Sequence, residues 1–521
     1  MPHHAESRAH AARRPLLLAL ALSAVAHAGA APHAAGAGIA QHGAAGVPAC
    51  ASCHGAAGEG VAASGSPRLA GLPAAYLLEQ LNALATGSRA SPVMAPLARA
   101  LTTEQRTQLA EYYGSLLLRL QPRAAQAAAL DDRLALEGRW SQDIPACVQC
   151  HGQQGSGVGV FPPLAGQSAT YLAAQLHAWR DGTRRGEPLA LMQKIAARLS
   201  EADIRAVADS FAAQPAPAGA RRVGGTGLPA GTAAAPPPVR APGSHGVFQP
   251  SDEPIPDTEF GKVVRLGRDV FENPGRYAAR YVGNDLRCSS CHLDAGRHVG
   301  SAPMWAAYVS YPAWRAKNGH VNTYAERLQG CFQYSLNGRA PPLGDPVLVA
   351  LETYSYWMAR GAPVDPGIAG RGYPKPGKPP LAPERARGAQ VYARSCALCH
   401  AADGGGQRDN QGNPAFPALW GANSYNWGAG MVNVSYAAAF IKSSMPLSQG
   451  GSLSDQDAWD VALFVDSHER PQDPRYAGSV AHTRSLYHDS DDSIYGQVVD
   501  GYLLGSRAVP PGRHPPPPAA H

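Results

Sequence analysis

Cys288-Ser289-Ser290-Cys291-His292, continued by Leu293-Asp294-Ala295-Gly296-Arg297, carries a frame that recurs three more times in this chain. The others are Cys50-Ala51-Ser52-Cys53-His54, Cys147-Val148-Gln149-Cys150-His151 and Cys396-Ala397-Leu398-Cys399-His400. In C-x-x-C-H two thiols add across porphyrin vinyl groups, and the histidine directly after the second cysteine reaches the iron. Disulfides, zinc pairs and thioredoxin-like sites use C-x-x-C as well. Four copies, each followed by His, favour four covalently bound haem c groups, with Cys50, Cys53, Cys147, Cys150, Cys288, Cys291, Cys396 and Cys399 as attachment points. His54, His151, His292 and His400 are then the proximal iron ligands.

The opposite iron ligands follow from scarcity. The chain has seven methionines. Met94 lies 40 residues after His54, Met192 lies 41 after His151 and Met445 lies 45 after His400. His/Met ligation raises a haem's reduction potential, which suits electron relay. A core methionine is the plainer reading of any one of them, and Met431 competes with Met445, but the repeated spacing favours Met94, Met192 and Met445 as ligands. The third motif has no methionine at that distance. Cys331, the ninth cysteine, lies 39 residues after His292, so spacing suggests a thiolate on that iron. A free buried cysteine or an intermolecular disulfide is the alternative, with Met358, His298 or His320 as ligand.

Composition fits an all-α chain of cytochrome domains. Of 521 residues only 16% are charged and 7% aromatic, while 57 Gly and 47 Pro point to many connectors. Several side-chain cores are poorly supplied, and a haem is an apolar plate that fills an interior. Arg13 and Arg14, the apolar run Pro15 to Ala26 and Ala26-His27-Ala28 predict a signal peptide over 1–28 and hence a periplasmic protein. That run is shorter than the ~20 residues a membrane helix needs, and no later segment is a candidate span. The net charge of +6 carries no nucleic-acid signature.

Within this frame the expected order is cytochrome domains at 29–125 and 126–215, a Pro/Gly/Ala-rich linker at 216–250, a catalytic cytochrome domain at 251–375, a fourth at 376–475 and a C-terminal tail at 476–521. The first two form a tandem repeat: Cys50 to Cys147 spans 97 residues, Met94 to Met192 spans 98, Leu69-Ala70-Gly71 matches Leu164-Ala165-Gly166, and Tyr76-Leu77 matches Tyr171-Leu172. Thr102 or Thr103, Ser200 with Asp203, and Ser454 with Asp457 predict capped helix starts. From about Gln472 onward periodicity is weak, and Pro515 to Pro518 closes the chain.

Residues 46–212, with Leu164-Ala165-Gly166-Gln167 and Tyr171-Leu172-x-x-Gln175-Leu176, resemble tandem di-haem cytochromes c that carry electrons. Residues 251–470 resemble the di-haem thiosulfate dehydrogenases. That likeness is carried by Cys288 to Arg297, Arg315-Ala316-Lys317-Asn318-Gly319, Glu326-Arg327-Leu328-Gln329-Gly330-Cys331-Phe332, Ser335-x-Asn337-Gly338 and Met445-Pro446. Together they look like a fusion of the enzyme with its own electron acceptor.

The resemblance implies that Cys331 is the distal ligand of the third haem. A thiolate lowers that haem's potential relative to His/Met haems and places a nucleophilic sulfur at the site. The implied reaction joins two thiosulfates into tetrathionate through a sulfur–sulfur adduct on Cys331, with electrons leaving by the fourth haem and then the N-terminal pair. The final acceptor would be a downstream cytochrome or terminal oxidase. The same residues are equally compatible with tetrathionate reduction. Two dianions must meet, so cations are needed; Lys317, Arg327 and Arg339 lie in the block around Cys331, and Ser335 and Asn337 offer hydrogen bonds. Some family members place lysine directly before the distal Met of the second catalytic haem. Here Ser444 stands there, so ligand switching is not carried over. An electron carrier without substrate, a peroxidase and a cytochrome subunit of the multienzyme sulfur-oxidising system are the rival readings.

Overall fold

The computed structural model describes residues 30–116, 133–214, 247–251, 253–365 and 367–509. The signal-peptide reading, the linker reading up to residue 246 and Pro515 to Pro518 lie outside these residues. The described chain is helix-rich, and no helix in it is long and apolar enough to cross a membrane. The all-α expectation is modified by three two-stranded antiparallel hairpins.

Around the first motif, helices α1 (Ala30–His42) and α2 (Ala74–Thr86) both pack on α3 (Thr103–Ser115). Around the second, α4 (Ala169–Arg180) packs on α5 (Glu201–Ala213). The starts expected from sequence are capped as read: Thr102 and Gln105 close a capping box at α3, Ser200 and Asp203 close one at α5. The repeat folds into a near-symmetric interface. Arg89 donates to Gln80 at 3.0 Å, to Tyr171 at 2.8 Å and to Gln175 at 2.9 Å, while Arg184 donates to Gln175 at 2.8 Å and to Gln80 at 2.7 Å.

The third motif sits among α6 (Glu259–Glu272), α7 (Tyr324–Gly330) and α8 (Pro346–Ala359); the fourth among α9 (Arg385–Ser395), α10 (Val434–Ser444) and α11 (Asp455–Asp466). Ala458, Val461, Ala462 and Val465 of α11 are all buried, as their spacing predicts, and Ser454 caps the helix. First and last helices of each region cross closely at a glycine. A Cβ on Gly267 would lie 2.1 Å from the Ala350 carbonyl oxygen, and one on Gly388 2.1 Å from that of Asp460. Only glycine lets two helix backbones approach this far.

Two hairpins position function. Strands β1 (Ala313–Arg315) and β2 (His320–Asn322) pair with Ala313 opposite Asn322 and carry Lys317 in their turn. Strands β3 (Gln407–Arg408) and β4 (Pro414–Phe416) hold a turn that docks onto the second motif region. There Asn410 donates to the carbonyls of Gly157 at 3.0 Å and Ser156 at 2.9 Å, and Gln153 N donates to Asp409 at 3.2 Å. Phe161 and Phe416 meet with ring centroids 5.4 Å apart; Phe161 also lies 6.3 Å from His151, and Phe416 6.5 Å from His400. The second and fourth motifs therefore face each other across one aromatic contact.

The stretch read as a tail from 476 holds ordered structure through 509. It forms α12 (Val480–Tyr487) and the hairpin β5 (Val498–Val499) with β6 (Tyr502–Leu503). Val480, Ile494, Tyr495 and Leu504 join the same apolar core as Trp305, Phe332 and Trp427.

Candidate active site and haem positions

Each motif histidine has one ring nitrogen pinned. Nδ1 of His54, His151 and His400 lies 2.9 Å from the carbonyl oxygen of Pro67, Pro162 and Pro417, and that of His292 lies 2.7 Å from Ala302 O. A carbonyl only accepts, so Nδ1 carries the proton and Nε2 presents its lone pair, the tautomer a metal requires. Burial lowers the pKa of all four, His292 to about 4, which keeps them neutral and competent to ligate.

The donor set fits covalent haem. Both thiols of every motif are free of disulfides. Buried donors stand without acceptors among the described residues: Nε of Arg68, which adjoins Pro67, Nε and Nη1 of Arg470, and Nε1 of Trp179. Buried donors are normally satisfied, and the propionates of a haem supply acceptors of this kind.

Cys288, Cys291, His292 and Cys331 all line one cavity of about 1400 Å³. Cys331 follows α7 and opens a single π-helical turn, Cys331–Ser335, a local widening common at functional sites. Arg327 stands four residues earlier on the same helix face. Its Nη1 lies 2.9 Å from the Cys331 sulfur, and that sulfur's charge is the first cause of the raised Arg327 pKa. Lys317 enters the same cavity from the β1–β2 turn. Its Nζ donates to Gly428 O and sits 3.7 Å from the Tyr334 ring centroid. Burial, with Arg475 next, lowers the Lys317 pKa to about 7.

The structure sorts the other expected residues. Ser335 lines the cavity. Asn337 does not: it adopts left-handed backbone (φ 48°), and its side-chain oxygen accepts from Asn426 at 3.0 Å, so it braces the turn. Arg339 does not either. It is exposed, and its guanidinium donates to Arg280 O at 3.1 Å, because the chain reverses at Asn337-Gly338 and carries it out against Tyr281. Among rivals to Cys331, Met358 is buried in the core and His298 meets Trp140, neither lining the cavity; His320 lines it but is exposed and paired with Glu326 at 3.2 Å. Met431 lines the His292 cavity. Met94 starts the helix Met94–Ala100, Met192 packs against the apolar core of the second motif region, and Met445 directly follows α10.

Sequence reasoning missed a further group on the cavity wall: Tyr334, Arg475, Tyr487 and His488, with Asp473 behind them. Asp473 holds Arg475 at 3.0 and 2.7 Å and His488 at 2.9 Å. Burial opposes its ionisation, but these partners hold its pKa well below the usual carboxylate range.

The sequence pattern of the family described as "Cytochrome c" matches residues 34–116, 142–209 and 385–469. A thiosulfate dehydrogenase of Thiomonas intermedia (strain K12) is 58% identical over 264 residues, covering 51% of this chain and 84% of that protein. A thiosulfate dehydrogenase electron acceptor of the same organism is 49% identical over 170 residues, covering 32% of this chain and 78% of that protein. The structure of a thiosulfate dehydrogenase (TsdBA) from Marichromatium purpuratum, in its as-isolated form, superposes with a TM-score of 0.82 at 44% identity, covering 92% of this chain and all of that one. A chain that matches both components separately, and a solved structure through nearly its whole length, belongs to the thiosulfate dehydrogenase family, with the enzyme and its di-haem electron acceptor joined in one polypeptide.

Proposed function

We propose that this chain is a periplasmic tetra-haem thiosulfate dehydrogenase, exported by residues 1–28, that oxidises two thiosulfates to tetrathionate in the His292/Cys331 cavity. Four cytochrome domains, at 29–125, 126–215, 251–375 and 376–475 with a linker at 216–250, would each hold one haem. The residues that would ligate the irons are His54 and Met94, His151 and Met192, His292 and Cys331, and His400 and Met445. The haems supply one-electron acceptor chemistry; an external cytochrome or terminal oxidase takes the electrons onward.

The observation that carries this reading is the Arg327 guanidinium 2.9 Å from the Cys331 sulfur, inside the cavity that His292 lines. Arg327 donates to the Cys331 sulfur and offers its remaining donors to a sulfonate. The Cys331 sulfur, as thiolate, bonds to the outer sulfur of one thiosulfate, and the two electrons this bond releases would be taken one each by two of the haems that the C-x-x-C-H frames would hold. The outer sulfur of a second thiosulfate then attacks that same atom, forming the central bond of tetrathionate and returning the Cys331 thiolate. Lys317 and Ser335 line the cavity where the sulfonates must sit, and cations offset repulsion between the dianions.

Purified holoprotein, given thiosulfate and ferricyanide with no partner protein, should reduce ferricyanide and form one tetrathionate per two thiosulfates. Absence of turnover on free thiosulfate would refute the reading. The Lys317 ammonium is protonated only below about 7, and kcat/KM reports the free enzyme. It should therefore fall as pH rises through about 7, and Lys317→Arg should flatten that limb. An unchanged limb in the variant removes Lys317 from substrate binding.

A further inference from the structure

Resting on the thiosulfate reading above, we propose that the segment following α11 completes a second sulfonate position in the cavity, built on Arg475 with Lys317, and that it seats the attacking thiosulfate. The matched cytochrome c pattern ends at residue 469, so this wall lies outside that pattern.

The guanidinium of Arg475 is fixed before any ligand arrives. Its Nε and Nη2 donate to the two oxygens of Asp473 at 3.0 and 2.7 Å, and its Cζ lies 4.2 Å from the Tyr487 ring centroid and 5.2 Å from that of Tyr334. Asp473 is itself buried and anchored by His488 Nε2 at 2.9 Å, and His488 Nδ1 lies 3.3 Å from Ser493 Oγ. Two donors are thus committed to the carboxylate, while Nη1 makes no hydrogen bond among the described residues and Arg475 lines the cavity. A fork held this way loses little freedom on binding an oxyanion.

The partner cation is close. Lys317 Nζ and Arg475 share the Tyr334 ring, at 3.7 and 5.2 Å from its centroid. One carboxylate, Asp473, balances these two cations directly. Glu326 and Asp489 also line the cavity, but Glu326 is occupied by His320 and the Thr323 cap. Below about pH 7, where Lys317 is protonated, two cations held together on the lining of a cavity whose nucleophile is already served by Arg327 call for a second anion. The reaction needs two anions of the same kind, which selects thiosulfate.

The oxidised holoprotein titrated calorimetrically with sulfate, a dianion that donates no electrons, should bind two equivalents. Arg475→Gln should bind one, and its KM for thiosulfate should rise about tenfold with a smaller change in kcat. Arg475→Lys keeps the charge and should retain the second equivalent at reduced affinity. Two equivalents and an unchanged KM in Arg475→Gln would overturn the proposal. So would equal loss in the Lys and Gln variants accompanied by an equal fall in thermal stability, since that marks a structural clamp. Full thiosulfate turnover by Cys331→Gly would instead refute the Cys331 chemistry, whatever Arg475 does.

Discussion

Cys331→Ala should lose thiosulfate turnover by about 1,000-fold or more, which is about 4 kcal/mol of transition-state stabilisation. The change deletes the one cysteine sulfur of the cavity that lies outside a C-x-x-C-H frame. Alanine offers no electrons to a sulfur–sulfur bond, and Arg327 loses its 2.9 Å partner. The fold should tolerate the loss, because Cys331 is only half-buried and its turn is held by backbone: Leu336 N donates to Cys331 O at 2.9 Å and Gly338 N to Phe332 O at 2.9 Å. Haem stoichiometry measured by pyridine haemochrome should therefore match wild type while ferricyanide-linked turnover disappears. Turnover within tenfold of wild type, at full haem content, would end the assignment of Cys331 as nucleophile.

Arg470→Met should destabilise the holoprotein by about 3–5 kcal/mol, the usual cost of breaking one side of a buried ion pair. Both side chains of the Arg470–Asp466 pair are fully buried at 3.4 Å. Arg470 also lies 4.4 Å from the Tyr425 ring centroid and 5.1 Å from that of Trp427, so the guanidinium fills space among aromatics. Methionine replaces part of that volume but leaves Asp466 without its cation. Burial already raises the Asp466 pKa to about 7. Losing Arg470 pushes it higher, so the variant's deficit should be largest at alkaline pH, where the carboxyl must ionise, and should shrink on acidification. Denaturant unfolding at two pH values checks both magnitude and sign; an equal deficit at each would show that packing, and not charge, is what Arg470 supplies.

The parts of this molecule that sequence alone revealed are local ones. The C-x-x-C-H frames are contiguous, the caps at Thr102, Ser200 and Ser454 act over three residues, and the tandem repeat keeps one register, so Tyr76 and Tyr171 fall at equivalent places in the interface. Lys317 was legible because a short hairpin carries it. Proximity in sequence misled at Arg339, eight residues from Cys331, because the chain doubles back at Gly338, where a Cβ would meet Tyr281 O at 1.9 Å. Arg475 stayed invisible for the converse reason. Its partners on the cavity wall, Tyr334 and Lys317, are more than a hundred residues away, and α12 is eight residues of mixed polarity with no periodic stripe to announce it. Nothing in the composition of Asp409 to Asn413 signals that this turn docks on the second motif region.

That turn also bears on the kinetic order expected of electron handover. Where enzyme and carrier are separate molecules, each turnover waits on a collision, and its rate follows their concentrations. Here Asn410 N donates to Gly157 O where the fourth motif region meets the second, and a handover at that contact would be first order and indifferent to dilution. Spatial succession also departs from sequence succession: the fourth motif abuts the second, and the arginine-laced interface of the tandem pair joins the second to the first. Electrons leaving by that succession would make the N-terminal module the outlet, the face left for whatever collects the current.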